Sequence, residues 1–95
     1  MQCKSIEEVR SNIDRIDDEI IKLLAERTGY VAQVVNFKKT TDDVQAPDRK
    51  EAVIQNVRSK AEKYGADPDM AEALYREMIS RFIDMEMDNL RKREA

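Results

Sequence analysis

Histidine and tryptophan are absent from this chain of 95 residues, cysteine occurs once, and glycine and proline occur twice each. Each shortage removes a class of answer. Without histidine the commonest general base and metal ligand is missing, and the Ser-His and Cys-His schemes go with it. The lone Cys3 permits no intrachain disulfide and leaves a zinc cluster short of ligands. So little glycine and proline disfavours a sheet protein full of turns. No long apolar run reads as a signal peptide or a membrane span. Met1-Gln2-Cys3-Lys4-Ser5 leads almost at once into Glu7 and Glu8, so a cytoplasmic, reduced setting is expected. A charge excess is lacking too. Seventeen cations against twenty anions give a net charge of −3, which offers no broad field to nucleic acid or an anionic membrane. Any positive site must be local.

What the chain does have is charge, at 39% of residues, interleaved with aliphatic side chains. That balance favours long helices with wet outer faces. The expectation is one all-α domain over residues 1–95, a three-helix chain with one long N-terminal helix and two shorter ones. A chain this short buries a modest core, so helix packing between chains would add stability that one copy struggles to supply.

The clearest pattern comes first. Ile6, Val9, Ile13, Ile16, Ile20, Leu23, Arg27, Tyr30, Val34 and Phe37 alternate in steps of three and four, a heptad seam typical of helices packed lengthwise. Ser5 is the expected N-cap, with Glu8 completing a capping box. Thr40-Thr41-Asp42-Asp43 ends the run, and Val44-Gln45-Ala46-Pro47 reads as an extended loop. Asp48 is the expected N-cap of a second helix, with Glu51 at its N3 position. This helix carries Val53, Ile54, Val57, Ala61 and Tyr64 and closes at Gly65. Asp67-Pro68 starts a third helix, which runs through Leu74, Tyr75, Met78, Ile79, Phe82, Ile83 and Leu90 to the cations Arg91-Lys92-Arg93. Met70, Met78, Met85 and Met87 are read as core filler. Asp17-Asp18-Glu19 faces away from the seam as a solvated group.

The informative charges are those on apolar faces. Arg27 interrupts the seam between Leu23 and Tyr30. Lys38, eleven residues on, lies about 20° round an ideal helix and roughly 16 Å along it, so both cations can bend toward one small anion. Each alone could equally snorkel to water or pair with a glutamate. Arg10 sits at the seam's edge, about 25 Å from Arg27 along a straight helix. A small ligand can meet both only if Arg10 comes from a second, antiparallel chain. Glu86 lies among Phe82, Ile83 and Leu90, where loss of water favours the neutral, hydrogen-bond-donating form; a salt bridge to another helix is the plainer alternative.

Together these residues resemble a known family. Val9-Arg10, Ile13-Asp14-Arg15-Ile16-Asp17, Leu23-Leu24-Ala25-Glu26-Arg27, Phe37-Lys38, Ala46-Pro47-Asp48-Arg49 and Glu86 are similar in order and spacing to the all-helical chorismate mutases, which include the isochorismate–pyruvate lyases. The resemblance spans nearly the whole chain, though no single motif is specific. It implies an intertwined helical homodimer with two equivalent sites for a small dicarboxylate, with neither cofactor nor metal. Carried over, Arg10 of the second chain, Arg27 and Arg49 would hold the substrate carboxylates. Lys38 would meet the ether oxygen. Glu86 would stand where bacterial mutases usually have glutamine and fungal ones glutamate.

One departure bears on substrate choice. Typical bacterial mutases carry a glutamate directly after the arginine matched by Arg49, and this chain has Lys50. The Lys38-to-Arg49 stretch, with Phe37 ahead of it, is closer to the lyases. Chorismate mutase is therefore the first expectation, with isochorismate–pyruvate lyase or a non-catalytic helical dimer as alternatives.

Overall fold

The computed structural model describes residues 2–37 and 46–94, with the side chains of Val35, Arg93 and Glu94 set aside. Among the described residues there are three α-helices and no strand: α1 spans Ile6–Val34, α2 Pro47–Tyr64 and α3 Pro68–Glu94, with a 3-10 turn at Val35–Phe37 after α1. The chain divides into two compact units, residues 1–33 and 34–95.

In the first unit, α1 begins as its sequence directs. The Ser5 carbonyl accepts from Val9 N–H at 3.2 Å, and its hydroxyl oxygen accepts from Glu8 N–H at 3.1 Å. The Glu8 carboxylate reaches back one residue further than a capping box requires and accepts from Lys4 N–H at 3.1 Å. These bonds satisfy donors that a helix start otherwise leaves open. The outer face is laced by the i,i+4 pairs Arg15–Glu19 and Asp18–Lys22, so the acidic run is solvated as expected. No residue of α1 is buried. Its seam, from Ile6 through Val34, stands open, with Ile13 50% and Ile20 54% exposed.

In the second unit, α2 and α3 run antiparallel across a tight corner. Gly65, at φ 79°, takes the left-handed conformation that its missing Cβ allows. Ala66 N–H then reaches the Ala61 carbonyl at 2.8 Å and Gly65 N–H the Glu62 carbonyl, a Schellman closure. Two residues later the Asp67 carboxylate accepts from Asp69 N–H at 2.9 Å, and Pro68 opens α3. Ile54 is fully buried and Ala61, two turns on along the same face, nearly so.

Three expectations need correction. First, α2 starts at Pro47 rather than after Asp48, because proline's fixed φ suits the first helical position. Ala46 is the N-cap, left-handed at φ 33° rather than extended, and its carbonyl accepts from Lys50 N–H at 3.0 Å. Glu51 consequently does not cap. Second, Tyr64, Met70, Leu74 and Met85 are exposed rather than core, and Tyr64 instead offers its ring to Lys63 Nζ, 5.3 Å from the centroid. Third, α-helical geometry stops at Val34, and the tighter 3-10 turn alters the angular count used to place Lys38. Lys38 itself lies outside the described residues.

Candidate active site

The five residues singled out in the sequence fall on all three helices and on the segment between α1 and α2. Arg10 and Arg27 share α1. Arg10 is exposed, whereas Arg27 is half-buried despite standing on a helix with no buried residue. Their seventeen-residue spacing along one unbroken α-helix puts them about 25 Å apart. One copy of α1 therefore cannot bring both to the same small ligand.

In the second unit, Arg49 occupies the first turn of α2 and is exposed; Lys50 beside it is half-buried. Glu86 lies far along α3 and is 5% exposed, the most deeply buried charged residue among those described. The pairing of α2 with α3 sets their axial relation. Glu51 meets Arg76, and Arg58 meets Asp69 and Glu72, so α3, at 27 residues against 18, runs on past the start of α2. Arg49 thus lies near the level of residues 78–79, and Glu86 about two turns, roughly 11 Å, further along α3.

The same two helices carry a set of charges that single-helix periodicity does not reveal. Arg76 donates from Nη1 and Nη2 to the two carboxylate oxygens of Glu51, at 3.0 and 3.1 Å, and from Nε to Glu72 at 2.7 Å. Glu72 also accepts from Arg58 Nη1 at 2.7 Å, and Arg58 Nη2 donates to Asp69 at 3.0 Å. The Arg76 hydrogen bonds hold the Glu51 and Glu72 carboxyls below the usual carboxylate range; Glu51 and Glu72 in turn push Arg76 up, and Asp69 and then Glu72 push Arg58 up. The available signal was charge complementarity between Glu51 and Arg58, seven apart, and Asp69, Glu72 and Arg76, three and four apart.

Among the described residues no group of His, Cys, Asp or Glu side chains could hold a metal ion, and no helix is long and apolar enough to cross a membrane.

Comparison with known proteins gives consistent findings. A family model described as chorismate mutase type II matches residues 9–87. The isochorismate pyruvate lyase of Pseudomonas aeruginosa is 32% identical over 81 residues, covering 85% of this chain and 80% of that protein. The chorismate mutase of Methanocaldococcus jannaschii is 25% identical over 77 residues, 80% of this chain and 78% of that protein. The T-protein of Haemophilus influenzae is 35% identical over 77 residues, 80% of this chain, yet the match spans only 20% of the T-protein's length.

Proposed function

We propose that this chain, which belongs to the chorismate mutase type II family, rearranges chorismate to prephenate in a cationic site shared between two copies of itself. The observation that carries this reading is Arg27, a half-buried cation beside half-buried Thr28 and Val31 on a helix that has no fully buried residue and whose apolar seam lies open in one copy. A second α1 packed antiparallel on that seam would cover it and bring Arg10 toward the other copy's Arg27.

The reaction asks for what these residues offer. An enol-ether C–O bond breaks as a C–C bond forms, in one cyclic shift of electrons without nucleophile, net proton transfer, metal or cofactor. Rate comes from holding a compact, chair-like geometry and from stabilising negative charge that gathers on the ether oxygen. Arg27, Arg49 and the second copy's Arg10 suit two carboxylates, since guanidinium forks bind them through paired, charge-assisted bonds. Lys38 supplies a point cation to the ether oxygen. Glu86, removed from water, can donate a second hydrogen bond to that oxygen only when protonated. Glu86→Gln keeps a donor at that position and is expected to retain turnover, whereas Glu86→Leu, which cannot donate, is expected to lose on the order of 100-fold in kcat/KM. Full activity in Glu86→Leu removes Glu86 from the mechanism.

A second reading has its own support. The lyase relative is matched over most of its length, and Lys50 stands where typical mutases place a glutamate toward the substrate hydroxyl. Elimination of pyruvate from isochorismate to give salicylate would use the same cations in a related pericyclic step. Incubating the protein separately with chorismate and isochorismate, then identifying prephenate or salicylate, decides between them. A non-catalytic helical dimer would form neither.

A further inference from the structure

We infer that Arg76, which belongs to none of the substrate-binding positions, is a positioning residue for Arg49: its two-pronged grip on Glu51 sets the rotation of α2's opening turns and so the direction of the Arg49 guanidinium. The inference rests on the substrate-carboxylate role proposed for Arg49.

The start of α2 is weakly held by its own chemistry. Ala46 supplies no side-chain cap hydrogen bond, and the fully buried Ile54 lies more than a turn beyond Arg49. Glu51, two residues after Arg49, ties the intervening stretch to α3. Residues two apart on an α-helix diverge by about 200°, so Glu51 faces α3 while Arg49 leaves from nearly the opposite side, consistent with its exposure. The tie therefore orients Arg49 without competing for it.

The form of the contact matters as much as its charge. A single ammonium–carboxylate contact would let the helix swivel, whereas two parallel N–H···O bonds in one plane resist rotation. Arg76 is itself fixed, because its third nitrogen is bound to Glu72 one turn back on the same helix. A guanidinium stands about 8 Å from its helix axis, so a 20° roll of α2 would sweep the Arg49 head through about 3 Å. Errors of about 1 Å in placing a reacting substrate can cost on the order of 100-fold in rate, although a flexible side chain recovers much of this by re-aiming. Loss of the grip is therefore felt mainly as weaker substrate binding.

Arg58 provides the internal control. It joins the same two helices with comparable exposure, but two turns, about 10 Å, further from Arg49 than Glu51's level. Steady-state kinetics on whichever substrate the wild type converts should show KM raised about 5-fold in Arg76→Met and in the milder Glu51→Gln, with kcat within about twofold. The double variant should be no worse than the more impaired single one, because both remove one contact. Arg58→Met should lower the melting temperature at least as far while leaving KM within about twofold. An unchanged KM in Arg76→Met, or an equal rise in Arg58→Met, overturns the inference. If the wild type converts neither compound, the proposed function and this inference fall together. If it is active and Arg49→Ala raises KM while Arg76→Met does not, the inference alone falls.

Discussion

The two units of this chain solve the problem of a helix's apolar face in opposite ways. In the second, α2 and α3 serve each other: Ile54 and Ala61 are buried, and charges bridge the pair on its flank. In the first, 29 residues of amphipathic α1 hold no buried side chain, and the ion pairs assigned to it lie along its own outer surface. A seam of isoleucines left to water wastes the hydrophobic free energy that its regular spacing could supply. The contrast teaches that local completeness and functional completeness are separate properties. One unit carries its stabilising partner in sequence, while the other leaves its apolar seam exposed, as the proposed pairing of two copies requires.

The sharpest way to break this contrast is to charge the open seam. Ile13→Lys combined with Ile20→Lys should cost little in an isolated copy, where both sites are half exposed. Buried between two copies, the added ammonium groups should prevent assembly and reduce turnover by about 1,000-fold or more. Sedimentation equilibrium beside an activity assay reads both effects, and a dimeric, active variant would show that the seam is not the interface. In the self-sufficient unit, Ile54→Ala should lower the free energy of unfolding by about 2–4 kcal/mol, since it removes a fully buried side chain between two braced helices. Denaturant titration measures it, and a loss below about 1 kcal/mol would mean that α2 and α3 re-close around the gap.

The smallest effect concerns the charges that bridge α2 and α3. Glu51 and Glu72 are depressed below the ordinary 4.5, chiefly by hydrogen bonds from Arg76. Their contribution is therefore present above the unfolded carboxylate range and is lost as pH falls through the lowered folded values. The difference in melting temperature between wild type and Arg76→Met should be greatest near neutrality and shrink as pH is taken from 7 toward 3. A difference independent of pH would assign the effect to the arginine's aliphatic stem instead.

Much of the fold was legible because helix ends are local chemistry. Ser5, Gly65 and Asp67-Pro68 act where their side chains or missing side chain predict. The α1 seam is legible as a pattern, and the apolar neighbours Phe82, Ile83 and Leu90 already point to the burial of Glu86. The start of α2 was misread because Asp48 and Glu51 imitate a capping box; Pro47 takes the first helical position, and Arg76 claims the Glu51 carboxylate. That contact depends on how one helix is rotated against another, which the periodicity of either helix alone does not encode. Of the candidate site, the residue types and the separation of about 25 Å between Arg10 and Arg27 were readable from spacing along one rod. Which ring hydroxyl contacts Lys50 permits was not, because that depends on a ligand's pose.

The alternation of sign across α2 and α3 has a last consequence, for alignment. Apolar ridges repeat every turn, so a helix pair held by aliphatic contacts alone has neighbouring arrangements of similar energy, one notch up or down. Here a slip of α3 by one turn in one direction would set Arg58 opposite Arg76, and in the other would set Glu51 opposite Glu72. Both neighbours are repelled by like charge. The ladder works as a vernier, with a single setting at which every mark coincides.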